Sequence, residues 1–369
     1  MKGNFCYHPW IGIDVSPQGE FRPCCKYKNP IADNIQDYFN STELKKLRED
    51  FQQGNYPTGC ERCWRDESAG IMSKRQIDWK YVLHETPPDL EKTLIVSFPF
   101  GNTCNLACRI CSSYSSSRWS AEEKKSIRLG YQNNAKTIFQ HQIFYKDKDF
   151  LSSFQDLTKD AIHFHFPGGE PIFVTDEHIR FLRNIKDKGS KSLHYTTNTT
   201  IFPSDELWNI WEEFFNIDIQ MSIDGIENVF EYNRWPANWE ICYKNIKQYQ
   251  SYQLKYKNLQ ISISHSISIF TIWDLDNFIL WCRKENLPDP YLGIVSSPKY
   301  YSIMNLPRDI KTEISTRLNL KESLPIVSAM QAEQFEEFDI TKKYVTILDS
   351  QRNQKFNDVF KEFNQFLRI

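Results

Sequence analysis

The sequence predicts an α/β protein, a partial (β/α)6 barrel of the TIM type with a small N-terminal cysteine-rich module and a helical C-terminal segment. Two observations support this fold class. First, extended runs alternate with amphipathic helical patterns, at 94–98, 162–166, 192–197, 217–223, 259–267 and 291–295. Second, beyond residue 160 the spacing between successive runs is that of β/α units, whose strands pair in parallel. A chain of 369 residues has room for one such barrel and an appendage.

The elements divide the chain into three predicted parts. Residues 1–85 form the cysteine-rich module, 90–300 the barrel and 301–369 a helical extension, with 112–160 as an insertion that covers the barrel. In the module, Ile11, Ile13 and Val15 alternate before the turn at 16–19, and Phe21 resumes an extended strand. This pattern predicts a β-hairpin.

Three cysteines follow the first barrel strand, at Cys104, Cys108 and Cys111, with the spacing C-x3-C-x2-C. A closed zinc site takes four protein ligands, and so does an ordinary iron–sulfur cube. Three thiolates on one short loop can instead hold three corners of a cube and leave the fourth iron open to a substrate. The alternative is a zinc site completed by a distant fourth ligand.

This spacing, set among polar residues after a hydrophobic strand, resembles the radical S-adenosylmethionine (SAM) superfamily. The resemblance implies a [4Fe-4S] cluster whose open iron binds SAM, and reductive cleavage of SAM to a 5′-deoxyadenosyl radical that removes a hydrogen atom from the substrate. Ile110 departs from the family, which usually has an aromatic residue at that position.

The resemblance also implies which residues bind SAM, at the carboxyl ends of the strands, where such barrels have their active sites. The implied residues are Gly168, Gly169, Glu170, Asn198, Ser222, Asp224 and Arg234. Glycines allow close approach of the backbone to a ligand, and a guanidinium suits a carboxylate. The alternatives are a plain turn at 168–170, an ordinary Asp-Gly turn at 224–225 and a surface location for Arg234.

A second cysteine set, Cys6, Cys24, Cys60 and Cys63, precedes the barrel. Its spacing resembles the twitch module, the shortened form of the SPASM extension, which holds an auxiliary [4Fe-4S] cluster. In the family this module usually follows the barrel, whereas here it comes first. The alternative is a four-cysteine zinc ribbon. Cys25 is the neighbour that could ligate in place of Cys24, and we interpret it as a packing residue.

Period-two alternation predicts a polar barrel interior. Ser262, Ser264 and Ser266 share one face of their run, opposite isoleucines that belong against the outer helices. His163 and His165 are candidates for the same lining. We therefore expect a hydrophilic substrate, either a peptide or a small molecule such as a sugar, but we assign no catalytic residue.

The composition limits the classes of partner and the cellular location that we expect for this protein. The chain has 45 basic and 47 acidic residues, a net charge of −2 that gives no support to nucleic-acid binding. It shows neither an apolar run of membrane-spanning length nor a signal-peptide pattern. We expect a cytoplasmic enzyme, an oxidoreductase by the family resemblance, that takes electrons from a reductase and flavodoxin or from a ferredoxin. The competing hypothesis is a non-catalytic, zinc-stabilised binding protein.

Overall fold

A computed structural model describes residues 3–68, 70–131 and 138–367. Residues 132–137 of the predicted covering element, and the ends of the predicted module and extension at 1–2 and 368–369, lie outside the described residues, as does residue 69.

Eight strands form one sheet. They are β1 (Gly12–Val15), β2 (Phe21–Arg22), β3 (Ile95–Ser97), β4 (His163–Phe166), β5 (Ser192–Thr197), β6 (Asn216–Ser222), β7 (Leu259–Ile267) and β8 (Tyr291–Ile294). Their order is β2-β1-β3-β4-β5-β6-β7-β8. The α/β class and the mostly parallel sheet are confirmed, and all six predicted barrel strands are present with both ends within one residue of the prediction.

The helices follow the chain as predicted between and after the strands. They are α1 (His8–Ile11), α2 (Ile35–Asn40), α3 (Thr42–Gln52), α4 (Glu61–Ser68), α5 (Lys74–Tyr81), α6 (Ser117–Arg128), α7 (Lys148–Leu157), α8 (Thr175–Arg183), α9 (Asp205–Trp211), α10 (Glu227–Asn233), α11 (Trp239–Lys255), α12 (Leu275–Lys284), α13 (Arg308–Arg317), α14 (Leu324–Ala332), α15 (Phe338–Arg352), α16 (Phe356–Val359) and α17 (Lys361–Leu367). None of the helices in the described ranges is long and apolar enough to cross a bilayer.

The predicted hairpin is confirmed, but its pairing goes further than the sequence indicated. β1 and β2 pair antiparallel, with Val15 opposite Phe21, and β1 also pairs in parallel with β3. All four residues of β1 are buried, as expected for a strand with a neighbour on each side and both faces covered. The cysteine-rich segment therefore contributes a strand to the main sheet.

The chain divides into two compact units. Unit 1 comprises 1–103, 142–196 and 203–218, and unit 2 comprises 104–141, 197–202 and 219–369. In unit 1, parallel registers run from β1 through β5, for example His165 opposite His194. In unit 2, β7 pairs in parallel with β8. The three-part division of the chain by function stays a prediction.

Alternation along the strands separates apolar from polar side chains. On β6, Ile217, Ile219 and Met221 are buried, whereas the residues between them are partly exposed. β7 repeats the pattern with its isoleucines buried and its serines partly exposed. His265 lies on the isoleucine side, where its ring stacks on Phe278 at 4.2 Å. It is a packed residue, buried with the isoleucines of β7.

Candidate active site

The three-cysteine loop of unit 2 brings its sulfurs into one environment. Cys104, Cys108 and Cys111 are all half-buried. Burial raises the pKa of Cys111, and the neighbouring Cys108 and Cys104 thiols raise it further. Burial likewise raises the pKa of Cys108, against the opposing charge of Arg234. The three thiols are therefore close enough to influence one another.

Backbone hydrogen bonds fix the loop against the segment after α10. The amide of Ala107 donates to the Trp235 carbonyl at 2.8 Å, and the amide of Arg109 donates to the Asn233 carbonyl at 2.8 Å. Two bonds at alternate residues resemble a short strand pairing, although the loop has no regular structure. These two bonds fix the backbone on both sides of Cys108.

Side chains from the first turn of α6 hold the carbonyls of the same loop. The Ser116 hydroxyl donates to the Leu106 carbonyl at 2.6 Å, and the Trp119 indole donates to the Cys108 carbonyl at 2.7 Å. Backbone groups buried away from water need partners, and here they receive them from buried side chains. Side chains of the protein therefore hold the loop backbone in place.

Asn198, predicted to bind SAM, lies beside the first cysteine. Its Nδ2 is 3.9 Å from Cys104 Sγ and donates to Asn105 Oδ1 at 2.8 Å. Its Oδ1 accepts from the amide of Thr200 at 3.0 Å. The structure thus brings Asn198 to the cluster loop within unit 2 and fixes the orientation of its amide.

Asp224 and Arg234, also predicted to bind SAM, form a buried ion pair. Arg234 Nη2 lies 2.7 Å from Asp224 Oδ2, and Asp224 Oδ1 accepts from the Ser266 amide at 2.7 Å. Burial would lower the pKa of Arg234, but the charges of Asp224 and Cys108 outweigh burial and raise it. Both Asp224 oxygens therefore have partners in the protein. Arg234 Nε is buried and has no partner among the described residues, so the guanidinium keeps a donor for a ligand.

Ser222 ends β6 on its polar side, next to the buried Ile223. The Ile223 amide donates to the Ser264 carbonyl at 2.9 Å, which continues the strand pairing past the end of β6. Ser222 therefore lies two residues before Asp224 at a strand end, as the sequence predicted.

The Gly168–Glu170 turn of unit 1 packs against the residue that precedes Cys104 in the chain. The Glu170 amide donates to the Thr103 carbonyl at 2.7 Å. Gly169 has φ +55°, and a Cβ there would lie 2.2 Å from the same carbonyl oxygen. Only glycine fits this approach. Glu170 is fully buried, and its Oε1 accepts from the Ile172 amide at 3.1 Å.

The N-terminal cysteines of unit 1 surround one cavity. Its lining includes Cys6, Cys24, Cys60 and Cys63, together with Lys26 and Arg75. Among the described lining residues, Cys24 is present and Cys25 is not. Among the described residues, there is no group of three or more His, Cys, Asp or Glu side chains placed to hold a single metal ion.

The donor set of this cavity fits a cluster of thiolate-bound iron. Burial raises the pKa of Cys6, Cys24 and Cys63. Hydrogen bonds from backbone amides oppose this effect and lower the pKa of each thiol. The donors are the amides of His8, Lys26 and Arg75, respectively. Hydrogen bonds to sulfur are a usual feature of iron–sulfur ligation. The cavity therefore offers four sulfurs, amide donors and two cationic side chains.

Arg75 anchors the module, a role that sequence reasoning missed. Its Nε donates to Glu67 Oε1 at 2.6 Å, its Nη1 donates to the Phe5 carbonyl at 2.9 Å, and its guanidinium lies 5.0 Å from the Trp64 ring centroid. It ties the chain before Cys6 to the helix that carries Cys63. A single arginine on α5 belongs to no pattern that could have revealed this role.

A group of polar side chains lies on the polar side of β4 to β6 in unit 1. The sequence predicted only two of its members, His163 and His165. His165 and His194 face each other edge to face at 4.6 Å, and His194 Nδ1 lies 2.7 Å from Asp218 Oδ2. His165 Nε2 lies 3.0 Å from the Thr196 hydroxyl. Burial, and then His194, lowers the pKa of His163 to about 3, so that ring is neutral. The two predicted lining histidines thus belong to a larger polar array.

The remaining cysteines, Cys242 and Cys282, are fully buried on α11 and α12. Both are packing residues. All ten cysteines lie within the described ranges, and none of them forms a disulfide.

Several solved structures are similar to part of this chain. One is titled native anSMEcpe with bound AdoMet and a Cp18Cys peptide (16% identity, 59% of this chain, 56% of that chain, TM-score 0.40). Another is Streptococcus suis SuiB bound to S-adenosylmethionine (13% identity, 89% and 53%, TM-score 0.36). A third is TYW1 with a lysine-pyruvate adduct (10% identity, 61% and 70%, TM-score 0.30).

These neighbours are radical SAM enzymes. At these identities the likeness is one of fold, and the chain spans little more than half the length of the first two. No family model and no curated protein matches the sequence.

Proposed function

We propose that this protein is a radical SAM enzyme that abstracts a hydrogen atom from a polar substrate. The observation that carries the proposal is the three-cysteine loop. Its backbone groups are bonded in place, and its three thiols share one environment with a buried arginine. Cys104, Cys108 and Cys111 would hold a [4Fe-4S] cluster. When bound, the cluster and SAM together supply the 5′-deoxyadenosyl radical.

The chain's own residues would position SAM. Glu170, fully buried and fixed by the Ile172 amide, offers a carboxylate for the SAM ammonium group. Arg234 suits the SAM carboxylate because a guanidinium binds carboxylates through paired donors and its Nε is otherwise unsatisfied among the described residues. Asp224 would orient Arg234 rather than touch the ligand. Gly168, Gly169, Asn198 and Ser222 complete the set by resemblance to the family.

We infer that Cys6, Cys24, Cys60 and Cys63 hold a second [4Fe-4S] cluster. Four thiolates from three segments leave no open iron, so this cluster would carry an electron and stabilise the module. The amide donors and cationic side chains of the cavity support this assignment over a structural zinc ribbon, although a zinc ribbon uses the same four thiolates. The electron donor would be a flavodoxin with its reductase or a ferredoxin.

We propose a peptide or protein side chain as the first substrate class, and a sugar or cyclitol as the second. Polar side chains on the strands, such as Ser222 in unit 2 and His194 with Asp218 in unit 1, support a hydrophilic substrate. A net oxidation follows if the substrate radical loses a further electron, which would make the enzyme an oxidoreductase. Ten cysteines without a disulfide, seven of them proposed as iron ligands, fit a reducing, cytoplasmic location.

Anaerobic reconstitution tests the proposal. We expect about eight irons per chain, from two cubes, and formation of 5′-deoxyadenosine from SAM under a strong reductant. The triple variant Cys104→Ala/Cys108→Ala/Cys111→Ala should lose about half the iron and all of the deoxyadenosine. The control Cys242→Ala/Cys282→Ala, which removes two packing cysteines, should keep the iron. Zinc in place of iron would point instead to a non-catalytic binding protein.

A further inference from the structure

The C-terminal extension reaches the cysteine loop through the last residue of α15. Arg352 has a fully buried side chain. Its Nη2 donates to the Ala107 carbonyl at 2.7 Å and to Glu122 Oε2 at 2.6 Å. Ala107 directly precedes Cys108 in the loop. A residue 245 positions away along the chain therefore supplies a charged hydrogen bond to the loop backbone.

Two tryptophans fix this guanidinium in place. Arg352 Cζ lies 5.0 Å from the Trp119 ring centroid and 5.1 Å from that of Trp235. The same tryptophans also bind the loop, because Trp119 donates to the Cys108 carbonyl and Trp235 accepts from the Ala107 amide. Cation–π contacts of a desolvated arginine are among the stronger ones. Arg352, both indoles and the loop thus form one rigid unit of packing.

A second contact ties the loop to the same end of α15. Arg109 lies within the loop, and its fully buried side chain turns away toward the C-terminal segment. Its Nη2 pairs with Asp349 and donates to Gln354 Oε1 at 2.9 Å. Its guanidinium stacks on Tyr232 at 3.6 Å, and the Tyr232 hydroxyl donates to Asp349 at 2.8 Å. The C-terminal segment therefore holds the loop on both sides of Cys108.

Arg352 also has a hydrogen-bond donor that these contacts do not use. Its Nη1 is buried and has no partner among the described residues. A cluster bound by three thiolates gains negative charge on reduction, and a nearby guanidinium in a low-dielectric interior stabilises that charge. Glu122, its ion-pair partner, orients the guanidinium at the loop.

We propose that Arg352 is a positioning residue for the three-cysteine loop and that it makes the cluster held there easier to reduce. The effect on cluster reduction rests on the proposed function, whereas the positioning of the loop does not. It makes the C-terminal extension a component of the cluster site, a role that neither the cysteine motif nor the family resemblance assigns to it.

Two measurements on Arg352→Gln test the proposal. The first is hydrogen–deuterium exchange of the apoprotein, followed in the peptide that spans residues 104–111. We expect exchange about tenfold faster or more, because a buried hydrogen bond from a charged donor is lost. The second is the midpoint potential of the SAM-binding cluster, followed by EPR. We expect about a tenfold shift in its reduction equilibrium, which is about 59 mV more negative for one electron.

Arg317→Gln is the matched control. Arg317 also belongs to the C-terminal extension. It pairs with Glu362 at 2.9 Å and lies 4.5 Å from the Trp273 ring centroid. Its contacts within the described part of the chain do not include the loop. The control should leave both readouts at their wild-type values. Arg352→Lys, which keeps the charge and loses the planar fork, should restore most of the potential and leave the loop exchange fast.

Unchanged exchange and potential in Arg352→Gln, or equal shifts in Arg317→Gln, would overturn the proposal. If Arg352→Gln does not fold, Arg352→Lys carries the test: it should leave the loop exchange fast, and exchange at the wild-type rate would overturn the positioning role. If wild-type protein takes up no cluster, the proposed function fails, while the exchange experiment still decides whether Arg352 positions the loop.

Discussion

Gly169→Ala should destabilise the protein through one backbone contact next to the cysteine loop. The native φ of +55° costs an alanine about 1–2 kcal/mol. The new Cβ would also lie 2.2 Å from the Thr103 carbonyl oxygen. The turn must therefore move and weaken the hydrogen bond from Glu170 to Thr103, which is worth about 1 kcal/mol. The free energy of unfolding should fall by about 2–3 kcal/mol.

Two other glycines of unit 1 separate these contributions. Gly54 has φ +78°, and a Cβ there would meet nothing within 4 Å, so Gly54→Ala measures the backbone cost alone. Gly189 has no left-handed φ, and a Cβ there would have its nearest contact at 4.0 Å, so Gly189→Ala should be close to neutral. Urea unfolding of the apoproteins gives the three values. If Gly169→Ala is no more destabilising than Gly54→Ala, the contact with Thr103 costs nothing and the prediction is wrong.

Two further predictions concern the ligands and the ion pair. Cys24→Ser should lower the reconstituted iron content by about half, whereas Cys25→Ser should leave it unchanged; the reverse result would exchange their roles. Asp224→Asn should cost about 3–5 kcal/mol in urea unfolding and weaken SAM binding in calorimetry, because it leaves Arg234 buried without its partner. The exposed pair of Arg283 is the control, since Arg283→Gln should cost less than about 1 kcal/mol; equal losses would contradict the burial argument.

The strands were predictable because their side chains alternate. Ile219 and Met221 on β6, and the isoleucines of β7, repeat with the period of a half-buried strand. β1 was harder to place, since a hairpin signal fixes the partner across the turn and says nothing about the strand on the other side. Its parallel pairing with β3 joins segments some eighty residues apart, and no local pattern encodes that.

The site was predictable where chemistry fixes the spacing. Three thiolates for one cluster must lie close together in sequence if one loop is to hold them, and Cys104 begins such a run. The buried charges around the loop were not predictable. Arg109 and Arg352 look like surface residues in the sequence, and only the fold shows them paired with Asp349 and Glu122. Their burial depends on long-range partners.

The EPR spectrum of the reduced protein, recorded before and after addition of SAM, decides whether the three-cysteine loop holds a cluster with an open iron. We expect a signal that changes when SAM binds that iron and that is absent from Cys104→Ala/Cys108→Ala/Cys111→Ala, while the signal of the auxiliary cluster stays in both proteins. A spectrum that SAM does not alter, or one that the triple variant reproduces in full, would contradict the assignment of radical SAM chemistry to this loop.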